Sequence, residues 1–263
     1  DLVCTRAALR LTRPALRNPR GVVYGPLMSI GRKNIPLQGH SIALDPRIHA
    51  VRPDLADVAL AERLFAPHYA QALPTRCAAP FAAVCDAPDG EQISEILAGE
   101  TFMLLDTSGG WSWGYCALDH YVGYVRSDQL DEASPPHDED PAGDIASAAE
   151  RFLGMAYVFG GRGGAGIDCS GLVQRSLAAT GQAAPRDSDM QQEALGTELP
   201  AGAPLARNDL VFFPDHVGIM VDGERMIHAT RHTDSVCIEP LADVAARIAA
   251  RHEQPILARR RLS

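Results

Sequence analysis

GGRGGAGIDCSGLVQRSLAATG, residues 160–181, sets one cysteine between a run of glycines and the first turn of a helix. Leu172, Val173 and Ser176 fall on the same helical face as Cys169, and Asp168 stands where a side-chain oxygen accepts from the free N–H groups of the first turn. Gly161, Gly163 and Gly166 also spell G-x-G-x-x-G after the apolar run AYVFG, which is the pattern of a dinucleotide-binding turn. That reading requires a second parallel strand ending in an acidic residue, and QAAPRDSDMQQEALG offers none after the helix. No G-K-[ST] is present for a P-loop. The glycines are read as a tight turn beside a cleft.

Cys169 itself has two readings. Free N–H groups and the positive end of the helix dipole favour a thiolate there, and a thiol on the inward face also serves as a small apolar filler. A nucleophile needs a base, and the base needs a group to orient it. In HVGIMVDGERMIHA, residues 216–229, alternation puts His216, Gly218 and Met220 on one strand face, with Met226 and His228 sharing a face of the return strand. Hairpin parity decides whether the histidines meet. A two-residue Asp222-Gly223 loop throws His228 onto the opposite face, whereas a loop with an odd residue count leaves both on one face, opposite each other or diagonal across Gly218.

Outward from this centre, residues 143–263 read as helices first and strands after, an α+β pattern. Ile145, Ala149, Phe152 and Leu153 share a helical face. DLVFFP, HVGIMVDGERMIHAT and SVCIEPL are strands, and LADVAARIAAR is a closing helix. Residues 133–142, the first ten of ASPPHDEDPAGD, suit an exposed linker. Before it, residues 79–132 break into short aromatic and β-branched strands of regular spacing, which imply a small barrel; Trp111 and Trp113 are candidates for its core or for a ligand-stacking rim. RPDLADVALAERLFAPHY predicts a helix capped by Asp54, with Leu55, Val58, Ala59 and Phe65 facing inward, inside a helical or irregular region 28–78 that packs on the domains after it. Residues 1–27 carry arginines without a helix or strand period and are expected to be a disordered tail, or an extension that a start at Met28 would remove.

The chain has 263 residues, 46% of them hydrophobic, with a formal net charge of −9. The balance is about +6 over residues 1–78, about −9 over 79–132 and about −6 over the rest. An acidic body argues against nucleic acid as a partner. No apolar run is long enough to span a membrane, and the first thirty residues lack the apolar block of a secretory signal. A cytoplasmic monomer without membrane insertion is expected. The six cysteines are scattered, with no pair or cluster at metal-ligand spacing, so neither a disulfide framework nor a metal or other cofactor is expected.

GIDCSGLVQ, DHVGIMV and MIHAT, in this order, resemble the signature of the NlpC/P60 cell-wall endopeptidases, which have a papain-like fold. The resemblance implies a Cys-His-His triad: Cys169 as nucleophile, His216 as general base and acid, and His228 as the group orienting His216. Tyr157 in AYVFGG matches a family tyrosine beside the nucleophile that helps bind the oxyanion. GETFMLLD, GGWSWGY and YVGYVRSDQL resemble a bacterial SH3-like domain. Together they imply a papain-like C-terminal domain behind a small SH3-like β-barrel. The arrangement is similar to that of endopeptidases cleaving between γ-D-glutamate and a diamino acid in wall-derived peptides with a free amino-terminal L-alanine. By that resemblance the barrel closes one end of the cleft, Tyr121 lies near the substrate's amino end, Asp168 pairs with its ammonium group, and Ser170 joins the substrate-binding set. Two alternatives stand beside this expectation: a non-catalytic wall-binding module, and a papain-fold amidase or acyltransferase.

Overall fold

A computed structural model describes residues 44–137 and 140–262. The expected tail at 1–27 and part of the region 28–78 lie outside these residues.

The chain enters through β1 (Leu55–Asp57) and β2 (His68–Ala70), a short parallel pair. The helix expected here does not form. Asp57 accepts from the Ala59 N–H at 2.9 Å and caps a single 3₁₀ turn, Val58–Leu60. Asp54 is instead held by Arg52, and the supposed inward residues Val58 and Phe65 are 48% and 90% exposed. An aspartate that bonds its own downstream backbone offers the chain a turn in competition with the helix, and this segment lacks a buried apolar face to outweigh it.

Seven antiparallel strands come next: β3 (Leu73–Cys77), β4 (Phe81–Cys85), β5 (Gln92–Leu97), β6 (Thr101–Ser108), β7 (Trp111–Cys116), β8 (Val122–Arg126) and β9 (Leu130–Asp131). They pair in the order β5-β4-β8-β7-β6-β3-β9, so the first strand precedes the expected boundary at 79. Val84, Ile96, Phe102 and Val125 fill the core. Trp111 and Trp113 are both buried and lie under the guanidinium groups of Arg126 and Arg52.

The second half is a six-stranded sheet with helices on both faces. Its helices are α1 (Ile145–Glu150), α2 (Cys169–Ala178), α3 (Ser188–Ala194) and α4 (Leu241–Ala249). Its strands are β10 (Thr197–Glu198), β11 (Leu210–Phe213), β12 (His216–Met220), β13 (Arg225–Thr230), β14 (Ser235–Pro240) and β15 (Ala258–Arg261), in the order β10-β15-β11-β12-β13-β14. One sheet face, with Leu210, Phe212, Val217, Ile219 and Ile227, packs on α1 and α2. The other, with Val211, Phe213, Met220 and Met226, packs on Val244 of α4. Alternation along each strand produces both faces at once. Leu153, expected inward, is 48% exposed because α1 ends at Glu150.

The two halves share buried charge. Arg162, 2% exposed and carried by the glycine-rich turn, forms a two-pronged ion pair with Glu100 of the segment between β5 and β6, at 2.5 and 2.9 Å. Glu95 of β5 accepts the backbone N–H groups of Arg162 and Gly164, each at 2.8 Å. Gly164 has no room for a side chain, since a Cβ there would run into the ring of Phe81. The turn is thus moulded onto the barrel. Among the described residues, no helix is long and apolar enough to cross a membrane.

Candidate active site

Asp168 caps α2, its Oδ1 accepting from the Gly171 N–H at 2.7 Å, and this places Cys169 at the first helical position. The thiol is 7% exposed and borders a cavity of about 310 Å³ that Tyr121, Tyr157, Ser170 and Asp187 also line. The helix terminus does not dominate its chemistry. Burial, followed by the charge of Asp168, pushes the thiol up to about 12, against smaller opposing contributions from the Val217 N–H, Arg186 and the Ser170 N–H. The thiolate expected from the helix dipole is therefore not the resting form.

The hairpin resolves the parity question. Ile219 pairs with Ile227 and Met220 with Met226, and the Val221 N–H closes on the Arg225 carbonyl at 2.9 Å. Three residues, 222–224, remain as the loop. This odd count sets His216 and His228 diagonally across Gly218 on one face, with His216 Nε2 2.7 Å from His228 Nδ1 and the rings edge to face. A Cβ on Gly218 would collide with the Met226 side-chain methyl and stand 3.2 Å from the His228 Cβ, so only glycine leaves room for the pair. Burial drives His216 down to about 3, helped by the neighbouring His228, and lowers His228 as well. Both imidazoles rest neutral.

Tyr157 lines the Cys169 cavity and lies beneath the guanidinium of Arg231. Tyr121, 5% exposed, donates its hydroxyl to Asp187 at 3.0 Å. Asp168 borders the same cavity, but its carboxylate is committed within the protein: Arg186 grips both oxygens at 3.0 and 2.6 Å, and the Gly160 and Gly171 N–H groups take the remaining directions. Ser170 is part of this lattice, accepting from Arg186 at 2.9 Å. Arg186 and Asp187 carry almost no signal in the sequence; the RD pair in QAAPRDSDM is their only local trace. Asp187, Asp189 and Asp215 leave this side acidic, with Arg47 contacting the first two.

Beyond His216 and His228, an open groove of about 660 Å³ is lined by Arg231, Arg247 and Arg251. One side of the histidine pair is acidic and the other basic. His228 Nε2 lies 2.9 Å from Glu239 Oε2, another contact that the sequence did not announce. His228, Cys237 and Glu239 also bring three ligand-type atoms within 4.8 Å of one another. The Glu239 oxygen nearest His228 is engaged by Arg247 at 2.7 Å, so hydrogen bonding accounts for the cluster without a metal.

Comparison with known proteins adds to this geometry. Residues 154–248 match the NlpC/P60 family, and residues 84–130 match the bacterial dipeptidyl-peptidase Sh3 domain. The chain is 31% identical over 138 residues to the gamma-D-glutamyl-L-lysine dipeptidyl-peptidase of Bacillus subtilis, covering 49% of this chain and 46% of that protein. A protein of the same name from Bacillus cereus is 33% identical over 111 residues, covering 38% of this chain and 32% of its own length. The chain thus spans about half the length, or less, of the curated relatives it matches. A solved NlpC/P60 family protein from Bacillus cereus superposes with a TM-score of 0.40 at 22% identity, over 72% of this chain and 63% of that one. The protein is built from a bacterial SH3 domain followed by a domain of the NlpC/P60 peptidase family.

Proposed function

We propose that the protein is a cysteine peptidase that hydrolyses the bond between γ-D-glutamate and a diamino acid in short wall-derived peptides with a free amino-terminal L-alanine. The observation that carries this reading is the buried thiol at a capped helix start, beside the Val217 N–H, whose chain neighbour His216 has its Nε2 held by a second histidine. The names of the Bacillus relatives support the substrate class.

In this mechanism Cys169 attacks the amide carbon while His216 takes the thiol proton at Nδ1, the nitrogen not committed to His228. Because thiol and imidazole both rest neutral, the proton moves as the bond forms. The oxyanion is met by the Cys169 N–H and the Tyr157 hydroxyl. Imidazolium at His216 then protonates the leaving amine, and water returning through His216 clears the acyl enzyme. The substrate ammonium goes to Asp187 and the Tyr121 hydroxyl at the acidic side, where Asp187, Asp189 and Asp215 outnumber the single contacting guanidinium of Arg47, whereas Asp168 is matched one to one by Arg186. The arginine-lined groove suits the carboxylates of the departing diamino acid. Free cysteines among the described residues suit a reducing compartment in which released peptides are recycled.

The test is to incubate the protein with L-Ala-γ-D-Glu-diaminopimelate, its lysine counterpart and their amino-acetylated forms, and to identify the products by mass. Release of L-Ala-γ-D-Glu by the wild type and none by a folded Cys169→Ala variant is expected. No cleavage by wild type removes the peptidase reading, and equal cleavage of acetylated peptides removes the free-amine requirement. Acyl transfer would appear as a product heavier than the hydrolysed one when amines are added.

A further inference from the structure

We infer that Glu239, anchored by Arg247, is a positioning residue that sets the tautomer of both histidines and so fixes Nδ1 of His216 as the bare nitrogen, free to take a proton. The inference rests on the proposed roles of Cys169 and His216.

The geometry is a diagonal rank across three neighbouring strands. In β12 and β13, His216 and His228 are offset by one diagonal across Gly218; in β13 and β14, His228 pairs with Cys237 and Met226 with Glu239, so Glu239 is one further diagonal along the same face. The contacts run along that rank. His216 Nε2 meets His228 Nδ1 at 2.7 Å, His228 Nε2 meets Glu239 Oε2 at 2.9 Å, and Arg247 of α4 donates to both Glu239 oxygens at 2.7 and 3.2 Å.

A carboxylate accepts hydrogen bonds and cannot donate them, so the proton on His228 must sit at Nε2. A neutral imidazole with hydrogen at Nε2 presents a lone pair at Nδ1. That lone pair must accept from His216, which places hydrogen on His216 Nε2 and leaves its Nδ1 bare. The logic holds while Glu239 is ionised and His228 neutral. Burial raises Glu239, but the Arg247 and His228 hydrogen bonds outweigh it and hold the carboxylate below its ordinary range; burial keeps His228 neutral against the pull of Glu239. Without the carboxylate nothing in the rank selects this tautomer. The reversed one puts hydrogen on His216 Nδ1, where it cannot take a proton from the thiol.

The test uses the intact protein labelled with ¹⁵N-histidine, with the His216 resonances assigned by their loss in His216→Ala. The wild type should show bare Nδ1 and protonated Nε2 at His216. Glu239→Gln, whose amide can either accept or donate, and Glu239→Leu should shift His216 toward the reversed or averaged tautomer. Both should slow Cys169 alkylation by iodoacetamide, read by peptide mass, and lower kcat by about 10- to 100-fold with KM within twofold, the scale of losing a group that orients an active-site ligand. Arg247→Met keeps the carboxylate and should keep the tautomer with a smaller loss. An unchanged His216 spectrum in the Glu239 variants, a kcat within twofold of wild type, or an Arg247→Met loss as large as that of Glu239→Leu would overturn the assignment. The spectra and alkylation need no substrate. A wild type that cleaves no peptide, with the spectra shifting as stated, defeats the peptidase reading and leaves this one standing.

Discussion

Arg162→Met is the substitution whose cost the structure specifies most fully. The guanidinium is 2% exposed and every nitrogen is used: Nε donates to Gln174 at 2.5 Å, Nη1 to the Glu95 carbonyl at 3.1 Å and to Glu100, and Nη2 to Glu100 at 2.9 Å. Methionine fills much of the same volume, so the loss is electrostatic. It leaves the Glu100 carboxylate, with its side chain 10% exposed, without a guanidinium partner and with the Leu97 N–H and the charge of His137 in its place. Removing one partner of a buried ion pair costs about 3–5 kcal/mol, since the other charge remains desolvated. With a urea slope of about 3 kcal/mol/M for a chain of this size, the midpoint should fall by about 1–1.7 M. The barrel tryptophans report one half by fluorescence, and far-ultraviolet circular dichroism reports the whole. Burial raises Glu100, but the charge and hydrogen bonds of Arg162 prevail and hold it below its ordinary range in the wild type. That contribution is present above the unfolded carboxyl pKa and fades as pH falls through the lower folded value. In the variant Glu100 should titrate high instead, so lowering the pH to 5 should narrow the gap between the two proteins. The double variant Arg162→Met/Glu100→Leu should regain part of the loss. A midpoint shift under about 0.3 M, or a double variant no better than the single, would refute the reasoning.

Three further outcomes are expected. Alkylation of Cys169 by iodoacetamide should climb steadily from pH 6 to pH 10, because burial holds the thiol up at about 12 and His216 down at about 3; a fast plateau between pH 5 and 7 would show a preformed ion pair instead. Gly218→Ala forces Met226 against the histidine pair and should cost about 1–3 kcal/mol in thermal unfolding along with most of the turnover. Unchanged activity would mean that the two rings tolerate displacement. Asp187→Asn should raise KM for peptides with a free amine by about tenfold, the value of one charge-assisted contact, and leave acetylated peptides unaffected; equal effects on both would move the ammonium site elsewhere.

What could be anticipated from the sequence was what local chemistry encodes. Asp168 as cap, α2 behind it, the strands 210–240 and the barrel strands all arise from periodicity and turn residues within a few positions of one another. Hairpin parity was legible as a choice, and only the Val221–Arg225 closure decided it. The misread helix at 54–67 had plausible spacing, yet Asp57 bonds its own backbone and no core awaits that face. The state of the thiol stayed open between two readings for a related reason. A helix terminus is visible in sequence, whereas the burial that outweighs it depends on packing from β12 and on the fold as a whole. Arg186 with Asp168, Arg162 with Glu100 and Glu239 with His228 are separated by 18, 62 and 11 residues, and no period or motif links such partners.

The 222–224 loop lies at the surface, remote from the cleft, in the kind of place where chains ordinarily gain and lose residues freely. Here that freedom is quantised. Removing or adding a single residue turns β13 over, sending His228 into the α2 side of the sheet and an apolar neighbour toward His216, while a change of two preserves the facing of every side chain. Length variation in this hairpin should therefore be tolerated in even steps alone. An exposed stretch with no chemical duty carries, through its residue count, the same veto over the proposed turnover as Cys169, its proposed nucleophile.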